Sequence, residues 1–362
     1  MRNRVLVLLS VVTLLMVVVS ASVLVVAQSQ AGAAATPNVK SGGTANTRLV
    51  WDPTAPPPAN WTPPRTPWGD PDLRGYYLNL SYTPLQRPQA LAGKALYTNE
   101  EAVEAFKKAV ALDAEVDPTT IHYDWKEYGM DQWQSPVRPN RRTSMIVDPP
   151  DGRIPPLTEE AKKRRDEAAA REKAKGNDVQ SPGTYTRCIT GNGGPPRVPG
   201  GVTAESQIVQ GPGYVVQIIE ANNDVRIIPL DGRPHLPSNV KGWLGDARGH
   251  FEGNTLVVET TNFRDDRVWQ GATSGLRLVE RFTMADPKTL KYEFTVTDPS
   301  TWTRPWSVEA PLPKIEPPLY EFACHEQNYG LINWTTGMLA RDKEGIGQSG
   351  RAPVFSEEDG GK

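Results

Sequence analysis

The chain has 362 residues, 38% hydrophobic and 23% charged, which is enough apolar side chain for a packed core and excludes wholesale disorder. Its 40 basic and 42 acidic residues leave a formal charge of −2, which gives no electrostatic footprint for nucleic acid. The 34 prolines argue against a long-helix bundle, and the 2 cysteines cannot make a four-thiolate zinc site.

Residues 1–27 read as an export signal. Arg2 and Arg4 precede an apolar run from Val5, and Val25-Val26-Ala27 offers small residues for cleavage. The run is also long enough to span a bilayer as an uncleaved anchor, which is the one route to membrane contact in the sequence. Cleavage removes Arg2 and Arg4 and takes the charge from −2 to −4. The mature chain is therefore expected in the periplasm or outside the cell. In that oxidising space Cys188 and Cys324 are expected to form a disulfide. The alternative is a thiol nucleophile or ligand, because Cys324 directly precedes His325.

Residues 28–75 form a proline-rich arm. Its prolines from Pro53 to Pro71 are interleaved with Trp51, Trp61 and Trp68, whose apolar surfaces should hold the arm against the body. Residues 76–180 are expected to be helical and extended. A helix over 98–114 opens with a Thr98/Glu101 capping box and carries Val103, Phe106 and Val110 on one face. A second helix over 158–175 has only alanines among its apolar residues. It should lie in solvent, held by pairs such as Glu159–Lys163 and Glu167–Arg171.

Residues 181–345 form the expected β body, followed by a polar tail at 346–362. Strand-like runs fall at 206–210, 214–220, 225–230, 250–252, 256–262, 277–284, 290–297 and 302–308. The links Asn222-Asn223-Asp224, Glu252-Gly253-Asn254 and Asp286-Pro287-Lys288 have hairpin chemistry, and links this short force antiparallel neighbours. The expected fold is mainly β: a single antiparallel up-and-down barrel or strongly curved meander, lipocalin-like in outline, with a β-sandwich as the alternative. The stretch from Met145 to Arg153 and that from Ile227 to Arg233 both end a β run in Asp-Gly-Arg, which suggests a shared turn and a further strand over 143–147.

Two constellations carry chemistry. The first is histidine with carboxylate: His235 follows a strand, Asp246 precedes His250 and Glu252, and His325 follows Cys324. In strand geometry His250 and Glu252 share a face, so a carboxylate can orient the imidazole for acid–base work. None of these spacings matches a zinc signature, so no metal is assigned. The alternative is that each histidine is a hydrogen-bonding residue at a turn or rim. The second constellation is Trp302, Arg304 and Trp306, with Trp243, Trp269 and Trp334 elsewhere. Aromatic faces beside an Arg stack a ring and grip an acidic substituent, or else the tryptophans fill the core. A Gly-x-Ser-x-Gly elbow, a Walker loop and an EF-hand loop are all absent from the sequence.

The blocks Arg142-Thr143-Ser144-Met145-Ile146-Val147-Asp148-Pro149-Pro150-Asp151-Gly152-Arg153, Arg226 to His235, Gly245 to Phe263, Thr303-Arg304-Pro305-Trp306 and Tyr320 to Tyr329 resemble a large family of exported bacterial β-rich proteins. The resemblance covers most of the chain from Thr66 to about Tyr329. It implies export and a single β-rich unit, and no activity, catalytic residue or cofactor follows from it. Two functions are therefore carried forward. One is an exported binding protein for a small apolar or aromatic molecule, with Trp243, Trp302, Arg304 and Trp306 as ligand contacts. The other is an exported lyase, isomerase or hydrolase without an organic cofactor. It would use His235 or His250 as base, Asp246 or Glu252 as partner and Arg304 as anion anchor. A structural envelope protein is a third.

Overall fold

The computed structural model describes residues 50–114, 137–174, 183–190, 195–200, 205–264, 269–316, 319–326 and 328–343. The expected signal at 1–27, the first part of the arm at 28–49 and the tail at 346–362 lie outside the described residues. Everything described belongs to one compact unit, Thr44–Lys362.

The fold is mainly β. The strands are β1 (Gly75–Leu78), β2 (Ile146–Asp148), β3 (Glu205–Gly211), β4 (Tyr214–Ile219), β5 (Asp224–Pro229), β6 (Asp246–Glu252), β7 (Thr255–Thr261), β8 (Arg277–Asp286), β9 (Thr289–Thr297) and β10 (Trp306–Ile315). Three helices accompany them: α1 (Asn99–Ala114), α2 (Glu159–Ala174) and α3 (Tyr329–Lys343). The strands make one sheet in the order β5-β4-β3-β1-β10-β9-β8-β7-β6, with β2 on β10. The sheet thus joins two meanders, β3–β5 and β6–β10, and β1 is the piece that links them.

Each neighbouring pair on that path is antiparallel. With nine strands on the path, the two end strands, β5 and β6, run in the same direction. A flat sheet would hold these ends about 38 Å apart at ~4.8 Å per strand. Instead, Ile228 Cγ2 and Leu230 Cδ2 lie 2.7 and 2.8 Å from where a Cβ on Gly249 of β6 would stand. The sheet has therefore curled until its ends meet, without a hydrogen-bonded ladder between β5 and β6 among the described residues. It is a strongly curved meander and not a closed barrel. Gly249→Ala places a methyl into Ile228 and Leu230, and is expected to cost about 1–3 kcal/mol by overpacking. Urea unfolding checks this, and an unchanged midpoint contradicts contact across the seam.

The inner face of the curl holds the core. Trp306, Val308, Phe294, Tyr292, Leu278 and Val258 are all 2% exposed or less. Trp269 stacks on Trp306 with ring centroids 5.7 Å apart, and Trp302 meets both rings edge-on. Trp61 of the proline-rich segment packs against this core, and Trp51 pairs its backbone with Pro139 and Arg141.

Local chemistry explains the elements. Thr98 and Glu101 cap α1 reciprocally, each side chain accepting the other's backbone N–H. Thr158 caps α2 through the Ala161 N–H, and its hydroxyl also donates to Ser300 O. On the solvent side of α2 the pairs are Glu159–Lys162, Glu160–Arg164 and Lys163–Glu167. Arg164 turns inward to Ser300 and Thr301, so α2 is also pinned to the β body. Both Asp-Gly-Arg turns use the same bond, with Arg153 N–H on Asp151 and Arg233 N–H on Asp231. Gly152 and Gly232 take φ of 72° and 71°, a region that favours glycine. The strand before the first of these turns is β2, which pairs Val308 and Ser307 of β10.

Strand β10 runs through Pro311 and Pro313, beyond the expected end at 308. In β10 the odd-numbered residues point their N–H away from β9, as Glu309 does toward Met145 O. The two prolines share that parity and fall between the stretches paired with β2 and β1. Their missing donors therefore cost no ladder bond. A cleft beside them, lined by Leu80, Val137, Arg138 and Thr289, has room for about one water.

Candidate functional site

The histidines singled out in the sequence lie on the outer face and in the surface segments. Along β6, Ala247, Gly249 and Phe251 face the core, so Asp246, Arg248, His250 and Glu252 point outward. His235 Nδ1 is 2.9 Å from Asp246 Oδ2, and Nε2 is 3.5 Å from Glu259. Asp246 also accepts the Leu236 N–H at 2.9 Å and Arg248 at 2.6 Å. Burial pushes the Asp246 carboxyl up, but bonds from Leu236, His235 and Arg248 outweigh it and hold the group below the usual carboxylate range. Arg277 does the same for Glu259. This cluster ties the β5–β6 loop down over β6 and β7.

His250 and Glu252 share a face as expected, 3.1 Å apart, but both are exposed, and Glu252 also holds Arg281 at 2.8 Å. His325 is exposed in the segment after Cys324. Among the described residues no group of three or more His, Cys, Asp or Glu side chains is placed to hold a metal ion.

The aromatic constellation also separates. Trp302 and Trp306 are 3% and 0% exposed and belong to the core, whereas Arg304 is on the surface, bound to Asp148 at 2.8 Å. Trp243 is half-buried under the Arg264 guanidinium, 4.2 Å from its ring centre. Cys188 and Cys324 are bonded to each other.

A buried polar chain, absent from the sequence expectations, crosses the inside of the curl. Arg226 of β5 reaches over the seam and grips Glu280 of β8 through its two terminal guanidinium nitrogens, at 2.6 and 3.2 Å. It also donates to Gln217 of β4 and Thr260 of β7. Tyr292 of β9 donates its hydroxyl to Glu280 at 2.7 Å and accepts the Arg197 N–H at 3.2 Å. Burial, with Glu280 beside it, pushes the Tyr292 hydroxyl well above its usual range, so it stays a neutral donor.

The chain leads to one end of the sheet, where Glu205 starts β3, Glu220 ends the β4 side of the hairpin and Asp224 starts β5. All three are 7% exposed or less. Arg197 lies among them. Burial lowers its guanidinium to about 10 against the pull of Glu205, Tyr292, Glu220 and Asp224. The Glu205 and Glu220 carboxyls hydrogen-bond each other, which requires a proton on one of them. Burial first, then the Glu205 charge, raises Glu220 to about 7. Glu220 Oε2 is buried without a hydrogen-bond partner among the described residues. Thr190 donates to Asp224 at 2.7 Å.

Two surface segments cover this end. The Tyr320 N–H faces the Glu220 carboxyl and favours its charged form. Asn223 grips the Phe322 backbone twice, donating to its C=O at 2.8 Å and accepting its N–H at 3.1 Å. The Phe322 ring rests on Tyr185 with centroids 5.8 Å apart. Asn328 caps α3 through the Leu331 N–H and donates to Thr186 O. The Cys188–Cys324 disulfide ties 183–190 to 319–326.

A sequence signal for these residues exists in the strand alternation. Gln217, Arg226 and Glu280 each interrupt apolar runs (Val-Val-Gln-Ile-Ile, Val-Arg-Ile-Ile, Leu-Val-Glu-Arg-Phe) at the inward-facing parity, where a polar residue needs a partner. No family model matches the chain, and no curated protein or solved structure matches it either.

The proton shared with Glu205 makes a testable stability signature. Glu220 rises from an ordinary value of 4.5 to about 7, so its contribution to stability is complete below the unfolded pKa and is lost as pH climbs toward 7. Glu220→Gln mimics the neutral acid and should escape that loss. The variant is expected to gain about 2 kcal/mol over the parent between acid and neutral pH. Urea midpoints across that range measure it, and parallel curves refute it.

Proposed function

We propose that the chain is an exported binding protein for a small aromatic molecule bearing a basic group, taken at the Glu205–Glu220 end of the curled sheet. The observation that carries this reading is the buried carboxyl pair with its unpartnered Glu220 oxygen. Among the described residues, the Glu205, Glu220 and Asp224 carboxyls lie around the Arg197 guanidinium. A protonated amine at the pair displaces the proton between Glu205 and Glu220, and the Tyr185, Tyr320 and Phe322 rings supply aromatic contact. A disulfide in the fold and the apolar start of the sequence support export.

Glu220 also favours a second reading. A carboxyl with proton affinity near neutrality suits a general base, which makes this end, and not the exposed histidines, the place for acid–base chemistry in an exported enzyme.

Thermal denaturation against panels of aromatic amines, aromatic acids and neutral analogues tests the binding reading. An amine at a hundredfold excess over its Kd should contribute about 2.7 kcal/mol and raise Tm by about 3–5 °C. Glu220→Gln should abolish the shift. Stabilisation by acids instead of amines, or a shift indifferent to Glu220, sinks the reading. Consumption of a bound amine identifies the enzyme reading instead.

A further inference from the structure

The cover over the Glu205–Glu220 end has few attachments. In residues 319–326, Tyr320, Glu321, Ala323, His325 and Glu326 are exposed. Its described bonds to the β4–β5 hairpin are the two from the Asn223 side chain to the Phe322 backbone, and the Tyr320 N–H faces Glu220 beside them. The remaining described ties to 183–190 include the Phe322 ring on Tyr185, Cys324 Sγ at 3.8 Å from Tyr185 O, and the disulfide from Cys324 to Cys188. The 183–190 segment is itself fixed to the hairpin through Thr190 on Asp224. The disulfide is therefore the one covalent tie between the two covering segments, and both segments reach the carboxyl cluster directly.

We infer that residues 319–326 form a strap over the carboxyl cluster, held shut by the Cys188–Cys324 disulfide and released by thiol–disulfide exchange with a dithiol. This rests on the reading of that end as a ligand site, whose access the strap controls. A dithiol thiolate attacks one sulfur of the disulfide and gives a mixed disulfide and a protein thiol. The second thiol of the dithiol then displaces the other cysteine. The protein gains two thiols, and the dithiol becomes a disulfide, having given up two electrons and two protons. With the tie gone, the described contacts that hold the strap are the two Asn223 bonds, the Tyr320 N–H facing Glu220, the Phe322 ring on Tyr185 and Cys324 Sγ at 3.8 Å from Tyr185 O, few enough for local opening without loss of the fold.

Carboxyl labelling with a carbodiimide and glycine ethyl ester, read by mass spectrometry on the full chain, tests this. Glu280, inside the curl, serves as the marker of global unfolding. The oxidised protein should leave Glu205, Glu220 and Glu280 unlabelled. Dithiothreitol, or Cys188→Ala with Cys324→Ala, should raise labelling of Glu220 by about tenfold or more and leave Glu280 protected. Asn223→Ala keeps the disulfide and should raise Glu220 labelling part of the way. Labelling of Glu220 in the oxidised protein, protection of Glu220 after reduction, or joint labelling of Glu220 and Glu280 would each overturn the strap. Adding N,N-dimethylbenzylamine, a tertiary amine that forms no amide with an activated carboxyl, separates the two ideas. If Glu220 opens on reduction and the amine does not protect it, the strap stands and the ligand reading fails.

Discussion

Glu280→Leu is expected to destabilise the protein by about 3–5 kcal/mol, and Glu280→Leu combined with Arg226→Met by distinctly less. Both side chains are 5% exposed or less, so a single change strands a buried guanidinium inside the curl. It also takes the acceptor from the Tyr292 hydroxyl, a loss worth about 1–3 kcal/mol when the donor stays buried. The double change removes both charges together. The pair matters because β5 and β6 meet without a ladder, and Arg226 joins β5 to β7 and β8 across the seam. Urea unfolding followed by tryptophan fluorescence in a double-mutant cycle measures the coupling. Additive single effects would mean that the pair does not clasp the sheet.

Replacing Cys188 and Cys324 together with Ala is expected to cost about 5 kcal/mol in the chain-entropy model. The size follows from the sequence separation of 136 residues, since the crosslink restricts a large part of the unfolded chain. The loss should appear as a lower urea midpoint with a native fluorescence spectrum retained in buffer, because the core lies on the inner face of the sheet and away from the bonded segments. A change below about 1 kcal/mol would mean that the crosslinked and free unfolded chains are alike.

The sequence pattern carried most of the sheet and little of the site. Hairpins with Asn-Asn-Asp, Glu-Gly-Asn and Asp-Pro-Lys links were legible because their turn chemistry and flanking alternation agree. Strand β1 was not, since four residues after a proline-rich stretch carry too short an alternation to stand out. The end of β10 was hidden by Pro311 and Pro313, which read as strand breakers unless the gap between β1 and β2 is known. Helix α3 was masked because Leu331, Trp334 and Met338 turn inward while Tyr329, Ile332 and Leu339 stay exposed, so no clean stripe marks it. The histidines attracted attention as titratable groups beside carboxylates, and that pairing is real at His235–Asp246 and His250–Glu252. Nothing in residue type said that these pairs stand on the outer side of β6, while Glu220 and Arg197 are buried. That distinction depends on which parity of each strand faces inward and on how the curl brings β3, β4 and β5 to one end.

The most direct test of the carboxyl-pair site is isothermal titration of the tightest-binding aromatic amine in two buffers of different ionisation enthalpy. At about pH 6 the account predicts release of about one proton per amine bound, as the ammonium replaces the proton between Glu205 and Glu220, and loss of that release in Glu220→Gln. Binding heat that is the same in both buffers, or proton release that persists in Glu220→Gln, would contradict it.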